Sequence, residues 1–282
     1  MKALFFRRAV AALALLCLTF GSVPAARAAE AETVDILLIG LDGREGISGN
    51  RSDTVILCSF NPGTRTLSMV SFLRDLYLPI PGRGSDRLNA AYAYGGSKLL
   101  RQTLEQNFGL DIDGYVEVDF ERFTQIIDAL GGVTITLRPD EAKQINEDCP
   151  GSALTQGEQL LTGQQALCYS RIRELDPDGD FSRTRRQRTL LQAMLGSWLS
   201  ADLSAMVDTM RRLLPMVTTD LGPAQLLNWV FSAEPARKQL KLNSLQIPRQ
   251  DLCRDETIRK MAVIVCDIPA NRAHLLEQLR GS

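Results

Sequence analysis

Three short apolar runs near the start of the chain place the strongest constraint on its fold. Residues 34–41 read VDILLIGL, and residues 54–60 and 66–72 are similarly rich in apolar side chains. Runs of this length are typical of buried β-strands. The sequence NPG at 61–63 is a strong turn signal between the second and third runs. We therefore predict three consecutive strands, with the second returning beside the first and the third running back again.

The rest of the chain interleaves strand and helix patterns. We predict further strands at 114–120, 133–137 and about 240–247, and helices at 97–108, 121–130, about 202–214, 223–231 and 271–279. Residues 138–163 are expected to form loops and short helices. This alternation predicts an α/β fold with a single mixed β-sheet between helical layers. Since nothing marks a linker, residues 33–282 are expected to form one domain, with a motif-rich core at 34–200 that residues 201–282 complete.

The first 29 residues have the pattern of an export signal. Lys2, Arg7 and Arg8 precede an uncharged run at 9–26, and the sequence ARA at 26–28 offers a small-residue cleavage pattern. The apolar part is short for a full membrane span, although an uncleaved signal-anchor stays open. We expect an exported protein whose residues 1–29 are a signal peptide or a signal-anchor.

The charge balance argues against nucleic acid as a partner. Residues 1–29 carry four of the 32 basic residues and none of the 33 acidic ones, which leaves 28 basic and 33 acidic residues, a net charge of −5. Domains that bind nucleic acid are normally basic. Positive charge in this chain is therefore local.

Cysteine and histidine usage excludes two kinds of chemistry. Five of the six cysteines lie beyond Cys17, in the part that follows the export signal, and none forms a C-x-x-C or Cys/His pattern typical of zinc sites. The sequence is compatible both with a Cys253–Cys266 disulfide and with unpaired, buried cysteines. The only histidine is His274, near the C-terminus, so acid–base catalysis by histidine is not expected.

An arginine-rich stretch at 169–187, YSRIRELDPDGDFSRTRRQ, is the main candidate for a binding site. Arg171 and Arg173 alternate with the apolar Ile172. This alternation predicts an extended segment in which both arginines lie on the same side. A polar link at 174–180 follows, with one proline and one glycine.

A helix is predicted to begin after this link, with Asp180 or Ser182 as its N-cap. Its apolar stripe, at helical spacing, consists of Leu190, Leu191, Met194, Leu195 and Trp198. Arg183 and Gln187 precede Leu191 by eight and four residues, so we expect them on the buried side of the helix.

The expected result is a cluster of guanidinium groups that point inward. Arg171, Arg173 and Arg183 belong to this cluster, and such forked donors suit the oxygens of carboxylates and phosphates. The other arginines of the stretch are expected to be ordinary surface charges or to steer phosphates, and these are Arg185, Arg186 and Arg188. The alternative, that the whole stretch is a solvated surface, is common for charge-rich runs.

The predicted strand directions bring acidic residues together at one edge of the sheet. If the second strand returns beside the first, Asp42, Asp53, Arg74 and Asp75 lie at the same edge of the sheet. The aspartates could simply be turn residues, since Asp-Gly at 42–43 is a common turn dipeptide. Magnesium, however, is usually held by one or two carboxylates, waters and substrate phosphates. Carboxylates and arginines at one edge therefore fit a diphosphate with a metal ion between them.

Seven blocks of this sequence, in order, resemble the LytR-CpsA-Psr (LCP) family of the bacterial cell surface. The blocks are GLDGREG at 40–46, RSDT at 51–54, SFLRDLYLPIPG at 71–82, RLNAAYAYGG at 87–96, GYVEVDFERFTQIIDALGGV at 114–133, LTGQQALCYSRIR at 161–173 and GDFSRTRRQ at 179–187. The resemblance covers most of residues 34–200.

The resemblance implies an extracytoplasmic, Mg2+-dependent phosphotransferase. Its donor would be an anionic glycopolymer, such as teichoic acid or capsular polysaccharide, carried on a polyprenyl diphosphate lipid at the membrane surface. Its acceptor would be peptidoglycan, at the outer face of the cytoplasmic membrane or in the wall of a bacterium, most often Gram-positive. Family members usually keep a membrane span, whereas this N-terminus has a cleavable pattern.

The resemblance also implies roles for individual residues. The metal-binding positions match Asp42 and Asp53. The catalytic and diphosphate-binding positions match Arg74, Arg171, Arg173 and Arg183, with Gln187 as a further diphosphate contact and Arg87 at a position where many members have lysine. Asp75 is the candidate base. Two alternatives stay open, namely a polyprenyl-diphosphate hydrolase that uses water as acceptor and a non-catalytic surface protein that binds anionic glycolipid.

Overall fold

The computed structural model describes residues 33–42, 52–223 and 239–280. The predicted export signal at 1–29 and most of the helix expected at 223–231 lie outside the described residues. Contacts divide the chain into two compact units. We call residues 33–117, 219–221 and 239–280 the sheet unit, and residues 118–218 with 222–223 the helical unit, in both cases meaning the described residues within these ranges. The expectation of one domain over residues 33–282 stays a prediction.

Twelve strands and seven α-helices follow one another in the described residues. The strands are β1 Val34–Leu41, β2 Ser52–Asn61, β3 Thr66–Phe72, β4 Tyr77–Ile80, β5 Gly84–Arg87, β6 Gly114–Asp119, β7 Val133–Leu137, β8 Gly157–Leu161, β9 Thr218–Thr219, β10 Lys241–Ile247, β11 Cys253–Ile258 and β12 Met261–Cys266. The helices are α1 Leu88–Phe108, α2 Phe120–Ala129, α3 Pro139–Asp148, α4 Gly163–Arg171, α5 Asp180–Leu199, α6 Leu203–Leu213 and α7 Ile268–Arg280.

A six-stranded mixed sheet forms the centre of the fold, in the order β10-β3-β2-β1-β6-β9. β1 and β2 are antiparallel, as are β2 and β3, while β10 runs parallel to β3. The predicted α/β class and mixed sheet are therefore confirmed. β1 and β3 have the predicted bounds, because long apolar runs between polar turns leave little freedom in where a strand begins and ends.

The core of the sheet unit is formed by side chains on β1, β2 and β3. Ile36, Leu37, Leu57 and Leu67 are fully buried. Such continuous burial along a strand is expected where both faces of a sheet are covered. α1 packs against β2, and α7 packs against both, which provides apolar cover for this part of the sheet.

α1 begins nine residues earlier than predicted. Ser97, the first residue of the predicted helix, lies inside the element, because two helical segments are joined across a kink at Gly95 and Gly96. Gly96 has φ 64° and ψ −162°, a conformation that essentially only glycine adopts. The first segment therefore carries the motif residues after Arg87, and the second corresponds to the helix predicted at 97–108.

The helical unit is built on α4, which contacts α2, α3 and α5. The prediction of an extended segment around Arg171 is wrong, because α4 runs through residue 171. The Thr162 hydroxyl accepts a hydrogen bond from the Gln165 N–H, and the Gln165 side chain accepts one from the Thr162 N–H. This capping box starts a helix, and the buried residues that follow have helical rather than alternating spacing.

A disulfide joins Cys149, at the end of α3, to Cys168 in α4. Cys253 and Cys266 are instead free, although they face each other across the β11–β12 hairpin. Cys58 is free and buried. The disulfide therefore joins a pair of cysteines that the sequence did not indicate, because α3 and α4 come together only in the folded chain.

Candidate active site

Four charged residues of the sheet unit form a connected group at one end of the strands. Arg74 Nη1 lies 2.7 Å from Asp53 Oδ1, and Arg74 Nε lies 3.3 Å from Asp75 Oδ2. Arg87 Nη1 lies 3.3 Å from the other oxygen of Asp75. We call these four residues the carboxylate–arginine group. Their side chains are each 21% exposed, so they are accessible to a ligand yet partly shielded from water.

Strand direction explains this meeting. Asp53 lies at the start of β2, while Arg74 and Asp75 follow the end of β3, and the two strands are antiparallel. The end of one strand therefore lies beside the start of the other. The predicted common edge for these three residues is confirmed.

Asp42 directly follows β1, whose last residue, Leu41, pairs with Ser52. Its backbone thus lies at the same edge as Asp53. Within the described parts of the chain, no three or more His, Cys, Asp or Glu side chains are grouped as a metal site would require. A cation here would need one or two carboxylates together with ligands from water and substrate, which is the donor set that magnesium commonly uses.

The backbone of this edge is tightly held. The Asn89 N–H donates to the Arg74 carbonyl over 3.0 Å, and the Ile264 N–H donates to the Asp75 carbonyl over 2.9 Å. Arg87 Nε and Asn89 Oδ1 are buried and have no hydrogen-bond partner among the described residues. Because unpaired buried polar atoms are costly, these two atoms are suited to contact a polar ligand. Asn89 was not among the predicted site residues.

The helical unit carries the second set of predicted residues, which we call the arginine group: Arg171, Arg173, Arg183 and Gln187. One carboxylate, that of Asp180, joins two of its members. Arg173 Nε lies 3.3 Å from Asp180 Oδ1, and Arg183 Nη2 lies 3.2 Å from Asp180 Oδ2. Two guanidinium groups, those of Arg173 and Arg183, thus share one carboxylate, which leaves a local excess of positive charge.

Burial differs among the predicted members. Arg183 is 3% exposed, in agreement with its predicted burial, and Gln187 Oε1 is buried with no hydrogen-bond partner in the described parts of the chain. Arg171, however, is exposed, with its guanidinium 5.1 Å from the centre of the Phe120 ring. The prediction that Arg171 points inward is wrong, because it depended on strand alternation and the residue ends a helix. Arg173 is 40% exposed in its side chain.

α5 also corrects the predictions for its own start and for two arginines. The N-cap is Gly179, without a side-chain cap, so Asp180 and Ser182 both lie inside the helix. Arg186 and Arg188 are only 4% and 6% exposed, so the prediction that they lie on the surface is wrong. Arg186 precedes the buried Leu190 by one helical turn, and this spacing could have revealed its burial.

The carboxylate–arginine group and the arginine group lie in different compact units. The expectation that they meet around one diphosphate therefore stays a prediction. Each group by itself has the chemistry expected of a phosphate site, since arginine forks match phosphate oxygens.

Comparison with known proteins identifies the family. The model of the LytR_cpsA_psr family matches residues 21–274, which include every residue of both groups. The chain belongs to this family. The predicted resemblance is thus confirmed.

A similar family member is the polyisoprenyl-teichoic acid–peptidoglycan teichoic acid transferase TagU of Oceanobacillus iheyensis. It is 44% identical over 172 residues, which are 59% of this chain and 52% of that protein. The chain thus spans about half the length of this relative.

Solved structures of the family have the same fold. TagT, a Bacillus subtilis protein, bound to LIIa-WTA matches with a TM-score of 0.72 and 27% identity over 92% of this chain and 93% of that one. TagT with bound octaprenyl pyrophosphate lipid matches with a TM-score of 0.66 and 25% identity over 93% and 96% of the two chains. In the part of this chain that the structure describes, no helix is long and apolar enough to cross a membrane.

Proposed function

We propose that this chain is a phosphotransferase that moves an anionic glycopolymer from a polyprenyl diphosphate carrier to peptidoglycan. The observation that carries the proposal is the carboxylate–arginine group, in which Arg74 is held between Asp53 and Asp75 at distances of 2.7 and 3.3 Å. This arrangement occurs in a chain that is similar to a teichoic acid transferase and to TagT with bound octaprenyl pyrophosphate lipid.

The arginines act by binding and charge compensation. The proposed diphosphate-binding residues are Arg74, Arg87, Arg171, Arg173, Arg183 and Gln187. Phosphoryl transfer depends mainly on position and on neutralisation of charge that develops on the leaving phosphate. Each charge-assisted hydrogen bond contributes about 1.5–3 kcal/mol, so several together account for a large part of the binding.

Asp42 and Asp53 would hold Mg2+ in this proposal. The cation would supply further positive charge against the diphosphate oxygens. Two carboxylates at one edge of a sheet suit a cation that keeps most of its ligands from water and phosphate.

The reaction is a displacement at phosphorus. A hydroxyl of peptidoglycan attacks the phosphorus nearer the glycan and forms a new P–O bond. The bond from that phosphorus to the bridging oxygen breaks, and polyprenyl phosphate leaves with the electron pair. Asp75 is the candidate acceptor of the hydroxyl proton, because its carboxylate is oriented by Arg74 and Arg87.

The place of the reaction follows from its substrates. Peptidoglycan and lipid-linked wall polymers lie outside the cytoplasm, which agrees with the export pattern of residues 1–29. We therefore place the protein at the outer face of the cytoplasmic membrane or in the cell wall of a Gram-positive bacterium, with residues 1–29 as signal peptide or anchor.

A direct test supplies the purified protein with a polyprenyl-diphosphate-linked teichoic acid precursor, peptidoglycan fragments and Mg2+. We expect a phosphodiester-linked product, found by mass spectrometry, and its loss after chelation of the metal or in Arg74→Ala. Polymer released by water without a peptidoglycan product would identify a hydrolase. Binding of the donor without turnover would instead identify a glycolipid-binding protein.

A further inference from the structure

Arg186 is a buried arginine whose partners come from three other places in the helical unit. Its Nε donates to Glu141 Oε1 over 2.8 Å, and its Nη1 donates to the Ile172 carbonyl over 3.3 Å. Its Nη2 donates to Asp176, and its Nη1 also lies 3.3 Å from the hydroxyl of Ser182. All three nitrogens of the guanidinium therefore donate hydrogen bonds to groups within the protein.

Glu141 and Asp176 connect this arginine to a second one. Glu141 is 5% exposed, and its other oxygen accepts the Arg138 backbone N–H over 3.1 Å. Arg138 Nη1 donates to Asp176 Oδ1 over 2.8 Å. The hydrogen bond from Arg138, with that from Arg186, lowers the pKa of Asp176 to about 2. Asp176 is therefore ionised at neutral pH.

Arg186 differs from the arginine group in the number of carboxylates that face it. Arg138 and Arg186 face the carboxylates of Asp140, Glu141 and Asp176, so acidic charge at least balances basic charge there. Arg173 and Arg183 share Asp180. We therefore expect an anion to bind to Arg173 and Arg183. Arg186 is not expected to bind it, although it is only three residues from Arg183 on α5.

The contacts of Arg186 hold the chain on both sides of Arg173. Ile172, whose carbonyl it binds, directly precedes Arg173. Asp176 lies in the loop between α4 and α5, which leads from Arg173 to Arg183. Glu141 belongs to the first turn of α3, so this loop is fastened to a neighbouring helix.

We infer that Arg186, Glu141 and Asp176 form a positioning network that sets the places of Arg173 and Arg183 for diphosphate binding. The inference rests on the proposed function and adds residues that do not touch the substrate. A buried ion pair is weak as a source of net stability, because desolvation offsets most of the attraction. Its directional hydrogen bonds do determine geometry, and misplacement of a binding group by about 1 Å can cost ~100-fold in rate.

Two variants test the network without removing a member of the arginine group. Arg186→Lys keeps the charge but cannot bind Glu141, Asp176 and the Ile172 carbonyl together. Asp176→Asn keeps the shape of a loop side chain that is 14% exposed, so it is the better choice if Arg186→Lys does not fold. Arg211→Lys, at an exposed position of α6, is the matched control.

The measurements are circular dichroism, calorimetric binding of inorganic diphosphate with Mg2+, donor KM and kcat, and hydrogen exchange of residues 172–179. We expect folded variants with diphosphate affinity reduced ~10-fold or more and faster exchange at 172–179, while Arg211→Lys matches the wild type. Folded variants that bind diphosphate within twofold of the wild type would overturn the inference.

The outcomes also separate this inference from the proposed function. If the wild type binds diphosphate but transfers no polymer, the proposed function is wrong and the variants' affinities still decide the inference. If the wild type transfers polymer and both variants keep its KM and kcat, the inference is wrong and the proposed function stands. A wild type that neither binds diphosphate nor transfers polymer contradicts both.

Discussion

At the scale of residues, the partner of an arginine decides what that arginine can bind. Arg173 and Arg183 each pair with one of the two carboxylate oxygens of Asp180. Arg186 is bound by Glu141 and Asp176. An incoming phosphate can therefore add hydrogen bonds to the first two, whereas at Arg186 it would have to displace carboxylates that are already in place. Residue type alone does not distinguish these arginines.

Arg173→Ala should weaken transfer without unfolding the protein. The lost charge-assisted hydrogen bonds, at about 1.5–3 kcal/mol, correspond to a fall in kcat/KM of ~10- to 100-fold, measured with the lipid-linked donor. Arg122→Ala is a matched control, since Arg122 is 46% exposed and pairs through Nε with Asp119 at 3.5 Å, much as Arg173 pairs with Asp180. Equal activity of the two variants would contradict the assigned role of Arg173.

At the scale of elements, α4 packs closely on α2, and this contact fixes the position of the helix that ends at Arg171. An ideal Cβ at Gly163 would lie 2.1 Å from the carbonyl oxygen of Thr124. The Gly163 N–H also donates to Asp128 over 2.7 Å. Only a residue without a side chain allows this approach, so the first residue of α4 is fixed against the backbone of α2.

Gly163→Ala should therefore destabilise the protein, despite the higher helix propensity of alanine. Overpacking against backbone costs about 1–3 kcal/mol, which urea unfolding can measure. The matched control is Gly196→Ala in α5, where no described atom apart from the neighbouring residues and the helix's own backbone lies within 4 Å of the added Cβ. This control should gain about 0.5–1 kcal/mol. A stabilised Gly163→Ala variant would show that the α2–α4 contact is looser than described.

At the scale of the whole molecule, charge is distributed unevenly between surface and core. The chain has a formal net charge of −1, yet six of its arginines fall within residues 171–188. Asp35 lies near the start of β1, whereas Asp42 follows the end of that strand, and it is a buried acid that is 4% exposed. Burial raises the pKa of Asp35 to about 6, while a hydrogen bond from Ser59 opposes the shift.

Folding stability should consequently fall as pH rises through this titration. The folded protein holds the Asp35 proton up to about pH 6, whereas an unfolded carboxyl loses it near 3.8. The contribution is thus fully favourable below about pH 4 and is lost as pH rises through 6. Asp35→Asn should gain about 2–3 kcal/mol at pH 8 and only about 0.5 kcal/mol at pH 4, as measured by urea unfolding.

The control for this prediction is Asp255→Asn, which changes an exposed aspartate of β11 in the same unit. Its effect should be small and similar at both pH values. A pH-independent effect of Asp35→Asn would mean that the Asp35 carboxyl is not protonated in the folded state.

Local sequence determined much of the fold and part of the candidate site. The apolar run of β1 and the turn at 61–63 are sufficient to predict three antiparallel strands, because burial and turn chemistry are local properties. The common edge of Asp53 and Arg74 then follows from strand direction alone. The apolar stripe of α5, and with it the burial of Arg183, likewise follows from helical spacing.

Tertiary structure alone decided the environment of the other arginines. Arg171 is exposed because a capping box and packing on α2 make residues 163–171 a helix. Arg186 is buried because Glu141, 45 residues away, supplies the opposing charge. The Cys149–Cys168 bridge likewise depends on the contact of α3 with α4. Helical spacing can indicate which face of a helix is buried, but the partners that pair with a buried or exposed side chain are distant in sequence, and local periodicity does not identify them.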